Sequence, residues 1–456
     1  MPIAALITNY YFQIITFIAL VSIGSFFLFR KIQYKEILIM LIILSLIPKL
    51  FYLYGSNYEL LPNDISGHTD YIKIVAQKLK LPNPSECWEC YQPPLFYISG
   101  AIIYRTIESM GVVSDTEIFR IMQFYCLLLY YGFLLISILI INKTLDINKN
   151  SLLAISLLLF WPSSTLQSLR IANDVPAYLF FSLAFFYLIK WWQTNGTKSL
   201  IFSCIFSAVG LLVKSNLAIM VFVFMICFLY KLFFTKRVIS QKIIEFIIIF
   251  IILSVAILLN QRNTILGIKQ DDPFVGNYKG VPSQVYGVGN TLSNYIQFDF
   301  NSYTKYATII PAEDASGRQY FLNYLFKTAL FTELKTTNFL QLTFAIEISY
   351  LFLGLVILSG IGLIGLCQKD FGPKIPLITM AASLFLSLAI FRYRYPLASS
   401  NDFRYIYPLL IPFVIFVAWS YRYLQKNGIL KNIYHFIILL FILLSSIYYF
   451  LPSIKI

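Results

Sequence analysis

The sequence predicts an all-α polytopic membrane protein with a single membrane domain that includes residues 1–456. Hydrophobic residues make up 59% of the chain and charged residues only 12%, and ordinary globular domains carry about twice that charged fraction. Apolar runs of roughly 20 residues recur, the length that a helix needs to cross about 30 Å of hydrocarbon. Because lipid offers no partners for backbone N–H and C=O groups, we expect these runs to be helical.

Twelve apolar runs are the predicted membrane spans. They are 8–29, 37–55, 116–141, 151–168, 175–193, 199–213, 217–234, 243–259, 344–367, 375–391, 405–421 and 432–451. The first run is not a convincing signal peptide, because Arg30 and Lys31 follow it rather than precede it.

Basic residues predict the orientation of the chain. Short connections rich in Lys and Arg follow alternate spans, and such connections face the cytoplasm. They are 30–36, 142–150, 194–198, 235–242, 368–374 and 422–431. Both termini and the two long connections, the first loop (56–115) and the second loop (260–343), are then outside. The net charge of +14 mostly reflects this topology, and no nucleic-acid motif is present. The abundance of Ile, Phe, Lys and Asn favours a bacterial inner-membrane protein with a periplasmic or external site.

The first loop opens with PNDISGHTDY, residues Pro62–Tyr71. Asp64, His68 and Tyr71 share one face of a predicted amphipathic helix, and Asp64 is at its N-cap position, where a carboxylate accepts backbone N–H bonds. The apolar stripe of this helix consists of Ile72, Val75, Ala76 and Leu79. We expect the helix to lie along the membrane surface. Helix physics alone favours a capped interfacial helix whose histidine has no function.

Two cysteines of the first loop, Cys87 and Cys90, flank Trp88. We expect a local disulfide in an oxidising compartment, although a redox pair or half of a zinc site has the same spacing. No second cysteine pair or nearby histidine supports zinc. Asp64 and His68 form the only compact oxygen–nitrogen pair outside, and two ligands do not define a metal site. We therefore expect no required cofactor, with a divalent cation at Asp64 and His68 as the alternative.

Five motifs follow one another on the predicted outer side. They are Asp64 to Tyr71 followed by YQPPLFY (Tyr91–Tyr97), RIANDVPAY (Arg170–Tyr178), LLVKSN (Leu211–Asn216), YFLNYLFKTALF (Tyr320–Phe331) and NDFRYIYPLLIPF (Asn401–Phe413). In this order the chain resembles the GT-C superfamily of integral membrane glycosyltransferases, above all bacterial relatives of dolichyl-phosphate-mannose protein mannosyltransferases. The resemblance covers roughly residues 37–421. It departs from the family at Ile65, where a second acid is usual, and in the additional first span.

The resemblance implies that a sugar moves from a polyprenyl-phosphate donor to an acceptor outside the membrane. An inverting transfer needs one general base for the acceptor hydroxyl, and Asp64 is the candidate, with His68 beside it to orient it or to contact the acceptor or the phosphate. The departing phosphate needs cations rather than an acid. The candidates for this role are Lys214, Arg170 and Arg404, and their alternative is snorkelling to lipid headgroups.

The remaining candidates would contact the acceptor or the sugar. They are Tyr71, Tyr91, Gln92, Asp174 and Asp402. Three of them have structural alternatives: Tyr71 as an interfacial anchor, Asp174 as the partner of a cation, and Asp402 as the partner of Arg404. The second loop is expected to be a lid or an acceptor-binding element, with a solvated loop as the alternative.

Two other classes of protein stay open. A lipid-linked sugar polymerase or ligase also combines many spans with a large outer loop. A transporter or flippase is less favoured, because it should carry ionisable residues at mid-membrane, and the acids fall at span ends and in outer loops. Neither the sugar nor the acceptor, whether protein, lipid or polysaccharide, follows from the sequence.

Overall fold

The computed structural model describes residues 33–55, 64–111, 114–145, 147, 149–234, 239–260, 275–333, 339–368 and 373–449. In chain order its helices are α1 Tyr34–Gly55, α2 Ile65–Lys78, α3 Leu95–Ser109, α4 Asp115–Leu145, α5 Lys149–Leu159, α6 Ser164–Ser168, α7 Asp174–Thr194, α8 Thr197–Leu211, α9 Ile219–Phe234, α10 Ile239–Asn260, α11 Ser283–Tyr286, α12 Leu292–Ile296, α13 Phe300–Lys305, α14 Phe321–Phe331, α15 Phe339–Gln368, α16 Lys374–Arg394, α17 Leu410–Leu424 and α18 Gly428–Tyr448. Short 3₁₀ turns precede α9 and α17, at Ser215–Ala218, Ala398–Asn401 and Phe403–Leu409.

Eight helices of the described part are long and apolar enough to cross a membrane. They are α1, α4, α7, α9, α15, α16, α17 and α18, with the 3₁₀ turns included for α9 and α17. Three shorter apolar helices, α5, α8 and α10, correspond to three further predicted runs. The predicted run 8–29 lies outside the described residues, so the count of twelve spans stays a prediction.

The predicted span 151–168 is interrupted, which corrects the sequence analysis. Helix α5 ends at Leu159, and α6 begins only at Ser164. Pro162 has no N–H and disfavours helical backbone at the preceding residue, Trp161. The break is fixed from outside, because the Trp161 indole and the Ser163 hydroxyl both donate to the carbonyl of Ala329, at 2.6 and 2.7 Å. The apolar run therefore ends against α14.

Three ionisable side chains of the spans are buried within the helix bundle. Lys49 of α1 is 1% exposed, and its ammonium donates to the carbonyl of Ser45 at 2.9 Å. Lys231 of α9 donates to the carbonyl of Trp191 at 3.1 Å, and the Trp191 indole donates to Glu245 of α10 at 3.2 Å. Each of these groups has hydrogen-bond partners within the bundle, as buried polar groups require.

An aromatic stack holds the turn that precedes α17. Tyr407 stacks on Tyr178 of α7 with ring centroids 4.8 Å apart, and its hydroxyl lies 2.8 Å from that of Tyr130 on α4. All three rings are buried. Because a buried aromatic pair adds about 0.5–1.5 kcal/mol beyond its area, the stack fixes the backbone next to Asp402 and Arg404.

Helix α2 packs its apolar face against the rest of the protein, and its place along the membrane surface stays a prediction. Ile72, Val75 and Ala76 of its apolar stripe are buried, whereas Leu79 is 73% exposed. The partner of the stripe is α3, where a Cβ at Gly100 would come within 3.0 Å of the Ile72 side chain. The predicted stripe is therefore confirmed at Ile72, Val75 and Ala76 and wrong at Leu79, which lies just after the end of α2.

The second loop is folded between residues 275 and 333. The ammonium of Lys327 in α14 is fully buried and donates to the carbonyls of Ser302 and Ser316, at 3.0 and 2.8 Å. A further bond runs from Val288 N–H to the carbonyl of Pro396, at 3.0 Å. These bonds fasten the loop to itself and to the end of α16, so it is more than a solvated connection.

Candidate active site

Three separate parts of the chain come together at one end of the bundle. The Leu95 N–H, at the start of α3, donates to the Leu212 carbonyl after α8, at 3.0 Å. The Asn216 side chain donates to the Tyr405 carbonyl at 3.0 Å and so joins that turn to the segment before α17. The first loop, the α8–α9 turn and the α17 entry therefore bring their polar residues to one place.

Asp64 contributes an exposed carboxylate to this end of the bundle. Its backbone has a left-handed φ of 58°, which costs a non-glycine residue about 1–2 kcal/mol, although Asp tolerates it better than most. The side chain is 40% exposed, and its Oδ2 lies 3.8 Å from Nη2 of Arg404. The expected N-cap bond is absent from the described structure, so the prediction of a capping carboxylate is wrong. Strained backbone of this kind is concentrated at functional sites.

His68 lies one turn further along α2 and points into the protein. Its ring is 4% exposed, and Nδ1 lies 2.8 Å from the hydroxyl of Tyr97. Burial, and next the cations Lys214 and Arg404, hold the pKa of His68 well below its usual range. A neutral imidazole can donate or accept a hydrogen bond but carries no positive charge, and the predicted role of His68 beside Asp64 stays a prediction.

Tyr71 is part of the core. Its ring is fully buried and stacks on Tyr97 with centroids 3.8 Å apart. Neither the expected sugar contact nor the alternative membrane anchor fits a ring with no exposed surface. Tyr71 and Tyr97 instead hold α2 and α3 together, and so fix the helix that carries Asp64.

Lys214 and Asp174 form a hydrogen-bonded ion pair whose side chains are 10% and 2% exposed. Asp174 is the first residue of α7, where the helix dipole favours a carboxylate. The Lys214 ammonium also lies 5.2 Å from the ring centroid of Tyr405. The structure therefore realises the pairing alternative for Asp174, and its burial does not fit a direct acceptor contact.

Arg404 lies between two carboxylates. Its Nε is 3.3 Å from Asp402 Oδ2, and its Nη2 faces Asp64 and donates to the Tyr405 hydroxyl at 2.9 Å. Asp402 is fully buried, and its Oδ1 accepts the Arg404 backbone N–H at 3.0 Å. Asp402 thus pairs with Arg404, and the expected acceptor contact of Asp402 is corrected.

The three predicted phosphate-binding cations are all buried. The exposed fractions are 4% for Arg170, 8% for Lys214 and 6% for Arg404. A snorkelling side chain keeps its charged head in water, so burial argues against that alternative. Arg170 lies in the turn before α7, and its role in binding phosphate stays a prediction.

Cys87 and Cys90 are joined by a disulfide, with their Cα atoms 5.1 Å apart. The turn that they close leads into Tyr91 and Gln92. Gln92 Nε2 donates to the Tyr91 hydroxyl at 2.9 Å, and Gln92 Oε1 accepts from Asn173 at 3.2 Å. The two predicted contact residues therefore belong to one hydrogen-bonded network with α7. Their contact with an acceptor or a sugar stays a prediction.

Sequence reasoning missed Glu89, inside the disulfide turn. The side chain is 4% exposed, and Oε2 accepts from Gln92 at 3.1 Å. Burial, and next the charge of Asp64, raise the pKa of Glu89 to about 8. The available signal was an acid enclosed by two cysteines, ECWEC, in the loop already singled out.

A second missed carboxyl is Glu333, just after α14. It accepts a hydrogen bond from the hydroxyl of buried Tyr324. The pKa of Glu333 is raised to about 7, chiefly by burial; the hydrogen bond from Tyr324 opposes this rise and the charge of Asp64 adds to it. No local pattern marks Glu333, because only the fold of the second loop brings it near Asp64.

Part of the second loop covers the disulfide turn. Asn277 donates to the Trp88 carbonyl at 3.3 Å. A Cβ at Gly276 would come 2.7 Å from Tyr91, and one at Gly280 would come 2.9 Å from the Trp88 ring. Glycine is required at both positions for this close approach. The contact is the one expected of a covering element.

Within the described residues, no group of three or more His, Cys, Asp or Glu side chains lies close enough together to hold a metal ion. Asp64 and His68 gain no third ligand there, and the His68 ring is directed to Tyr97. The cysteines of the first loop are bonded to each other. The electrostatics of this end of the bundle come from its own ion pairs and buried acids.

Comparisons with known proteins give a family match over part of the chain and a likeness of fold. The family model described as dolichyl-phosphate-mannose-protein mannosyltransferase matches residues 109–259. A sequence comparison with curated proteins finds no significant match. The oligosaccharyltransferase of Archaeoglobus fulgidus in its apo form matches 93% of this chain and 57% of its own, at 11% identity and a TM-score of 0.55. ArnT of Cupriavidus metallidurans, solved with undecaprenyl phosphate, matches 84% of this chain and 60% of its own, at 12% identity and a TM-score of 0.49.

The chain thus spans less than two thirds of the length of either solved structure, and the likeness to the oligosaccharyltransferase is one of fold. The family match begins at residue 109, near the end of the first loop, so it includes Asp174 and Lys214 but not Asp64. The chain is an all-α integral membrane protein, and its residues 109–259 are similar to the dolichyl-phosphate-mannose-protein mannosyltransferases.

Proposed function

We propose that this protein transfers a sugar from a polyprenyl-phosphate donor to an acceptor hydroxyl, with inversion and with Asp64 as the general base. One observation carries the proposal: an exposed, strained carboxylate lies 3.8 Å from the guanidinium of Arg404, beside the buried pair of Lys214 and Asp174. A base and a cationic cradle are the two parts that such a transfer needs. The donor class agrees with the dolichyl-phosphate-mannose named in the matching family.

The reaction follows from these parts. The acceptor oxygen attacks the anomeric carbon as its proton passes to a carboxylate oxygen of Asp64. The bond from that carbon to the phosphate oxygen breaks on the opposite face, and its electron pair leaves with the phosphate. Arg404 and Lys214 stabilise that charge, since fixed cations at a buried site need little reorganisation during the reaction. One carboxylate suffices because the acceptor displaces the phosphate directly.

A narrow groove with room for about one water molecule lies next to the cations. It lies between α7, α9 and α16 and is lined mostly by apolar side chains, among them Phe181, Leu217 and Leu384. The groove also includes Tyr405, whose ring is 5.2 Å from the Lys214 ammonium.

The acceptor would approach from the side of the second loop. Segment 275–281 covers Trp88 and Tyr91, and Glu333 reaches the neighbourhood of Asp64 from the same loop. The alternating basic connections support a site that faces the periplasm or exterior of a bacterial inner membrane. Protein, lipid and polysaccharide hydroxyls all have the chemistry that Asp64 requires.

The test uses the full chain purified in detergent. We expect mass spectrometry to find a copurifying polyprenyl phosphate or its glycosylated form. Radiolabelled sugar supplied on a polyprenyl phosphate should leave the lipid when membranes that contain natural acceptors are added. Absence of bound polyprenyl phosphate, together with label that stays on the lipid, would contradict the proposal. Transfer from an oligosaccharide-pyrophosphate donor alone would favour the polymerase or ligase alternative.

A further inference from the structure

Glu89 is a buried acid at the base of the site, and the proposed transfer chemistry assigns it no role. It lies within the four-residue turn closed by Cys87 and Cys90, and 4% of its surface is exposed. A Cβ at Gly67 of α2 would come 2.9 Å from Glu89 Cγ. The disulfide on one side and α2 on the other leave the side chain little freedom to withdraw from its position.

The bonds of Glu89 connect it with the cation side of the site. Gln92 Nε2 donates to Glu89 Oε2 at 3.1 Å, and Gln92 Oε1 accepts from Asn173 Nδ2 at 3.2 Å. Asn173 Nδ2 also donates to the carbonyl of Val213, next to Lys214, at 3.2 Å. Within the part of the chain that the structure describes, Glu89 Oε1 has no hydrogen bond. One oxygen is thus anchored, and the other is available.

Charged groups from three other elements act on this carboxyl. They are Asp64 before α2, Lys214 before α9 and Arg404 before α17. Two phenols, Tyr91 and Tyr97, feel its charge in turn, and burial keeps the pKa of both well above the usual tyrosine range. Desolvation dominates at Glu89 and raises its pKa to about 8, so the acid is mostly neutral at pH 7.

A neutral carboxyl differs from a carboxylate in what it does beside two cations. The protonated form has an O–H that donates a hydrogen bond, whereas the ionised form only accepts. An ionised Glu89 would add a negative charge next to Lys214 and Arg404, where Asp64 and Asp174 are already present. That charge would repel an incoming phosphate.

We propose that Glu89 contacts the donor as a neutral acid, donating from Oε1 to a phosphate oxygen beside Lys214 and Arg404. The inference rests on the proposed function and deepens it, because it makes proton loading of one buried carboxyl a condition for binding a prenyl phosphate. No bond is formed or broken at Glu89. The disulfide turn and Gln92 position it, and Asp64 alone removes the acceptor proton.

Linkage gives the expected pH dependence. If only the neutral form of Glu89 admits the phosphate, affinity is full below pH 8 and falls about tenfold for each pH unit above it. Tyr91 and Tyr97 do not lose protons in that range, because their pKa values are raised. A prenyl phosphate has lost its second proton near pH 6, so its own charge is constant above pH 7.

The experiment measures binding of farnesyl phosphate to the detergent-solubilised full chain between pH 7 and pH 9.5. The affinity of the wild-type protein for farnesyl phosphate should fall roughly tenfold per pH unit above pH 8. Glu89→Gln, a neutral isostere, should bind within about threefold of wild type at pH 7, as expected when one neutral donor replaces another, and should keep that affinity at pH 9.5. The matched control is Glu86→Gln, which changes an exposed acid paired with Lys78 on the same turn and should retain the wild-type decline.

The outcomes separate this inference from the proposed function. Two outcomes overturn the inference alone. In one, the alkaline decline in farnesyl phosphate affinity persists in Glu89→Gln. In the other, Glu89→Gln unfolds at the wild-type temperature but no longer binds farnesyl phosphate at pH 7. Wild type that binds no farnesyl phosphate at any pH overturns both. If Glu89→Gln does not fold, Glu89→Asp decides: its shorter carboxyl should shift the midpoint of the decline, and an unchanged midpoint shows that another group titrates.

Discussion

The two sides of the site hold their charges differently. On the cation side, Lys214 and Asp174 are hydrogen-bonded and 10% and 2% exposed, and Asp402 is fully buried beside Arg404. On the base side, the Asp64 side chain is 40% exposed. Its one ion pair in the described structure is with Arg404, at 3.8 Å. One side is therefore assembled before any substrate arrives, and the other is open to it.

This difference matches the two demands of the proposed reaction. Charge that develops on a departing phosphate is stabilised best by groups that are already in place. A general base must instead reach a proton on a second substrate that comes and goes. Lys214 should also contribute to folding stability. Removal of one partner of a buried ion pair leaves the other charge buried and uncompensated, which lowers the free energy of unfolding. Variants on the two sides should accordingly fail in different ways.

The largest expected effect is on the base side. Asp64→Asn removes the base but keeps the size of the side chain, and Asn also tolerates left-handed backbone. Turnover should fall by about 10²–10⁴-fold, because an amide cannot take up the proton of the acceptor hydroxyl. Binding of a prenyl phosphate should stay at or above the wild-type level. The measurements are transfer of labelled sugar and equilibrium binding on the same preparation.

The control for Asp64 is Asp70→Asn. Asp70 is an exposed carboxylate on the outer face of the same helix, α2, and its loss should leave turnover unchanged. Unchanged transfer by Asp64→Asn would make Asp64 a purely structural residue of the α2 entry. The proposed mechanism would then be wrong, even if the donor class were right.

The next effect in size is on the cation side. Lys214→Ala leaves Asp174 buried without its partner, which should lower the free energy of unfolding by about 3–5 kcal/mol. Donor affinity should fall at the same time, since a charge-assisted hydrogen bond to the phosphate is lost. Thermal unfolding in detergent and farnesyl phosphate binding measure the two effects separately.

A double variant separates folding from binding. Lys214→Gln with Asp174→Asn replaces the ion pair by two amides that can bond to each other, so the melting temperature should recover. Donor affinity should stay about tenfold or more below wild type, because neutral donors bind phosphate with roughly half the strength. Full recovery of affinity in the double variant would show that the phosphate does not use the Lys214 charge.

The sequence predicted the parts of the fold that depend on local pattern. Runs of apolar residues gave the positions of α1, α4, α7 and α15 to within a few residues, because bilayer thickness fixes their length. The end of α5 was missed because Trp161 and Ser163 form their bonds to Ala329, which is distant in sequence. Likewise, the burial of Tyr71 depends on Tyr97 of another helix.

The same limit applies to the site. Asp64, Lys214 and Arg404 could be named from motifs, and the structure brings their charges to one place. Glu333 could not be named, since only the fold brings it near Asp64, and the ECWEC pattern marked Glu89 without revealing its burial. The capping role of Asp64 was wrong for a related reason: its left-handed backbone turns the carboxylate away from the α2 N–H groups. Motifs thus identified charges, and the fold determined what those charges contact.

The smallest expected effect concerns the disulfide turn, which supports both sides. The chain has six cysteines, so denatured, unreduced protein should offer four thiols to an alkylating agent and reduced protein six. Cys87→Ser with Cys90→Ser should lower the free energy of unfolding by about 2 kcal/mol, the chain-entropy value for a four-residue loop. Turnover should fall only several-fold, because α2 still confines Glu89 through Gly67. Six thiols in unreduced protein from intact cells would show that Cys87 and Cys90 are not bonded. Helix α2 alone would then have to position Glu89 near Asp64.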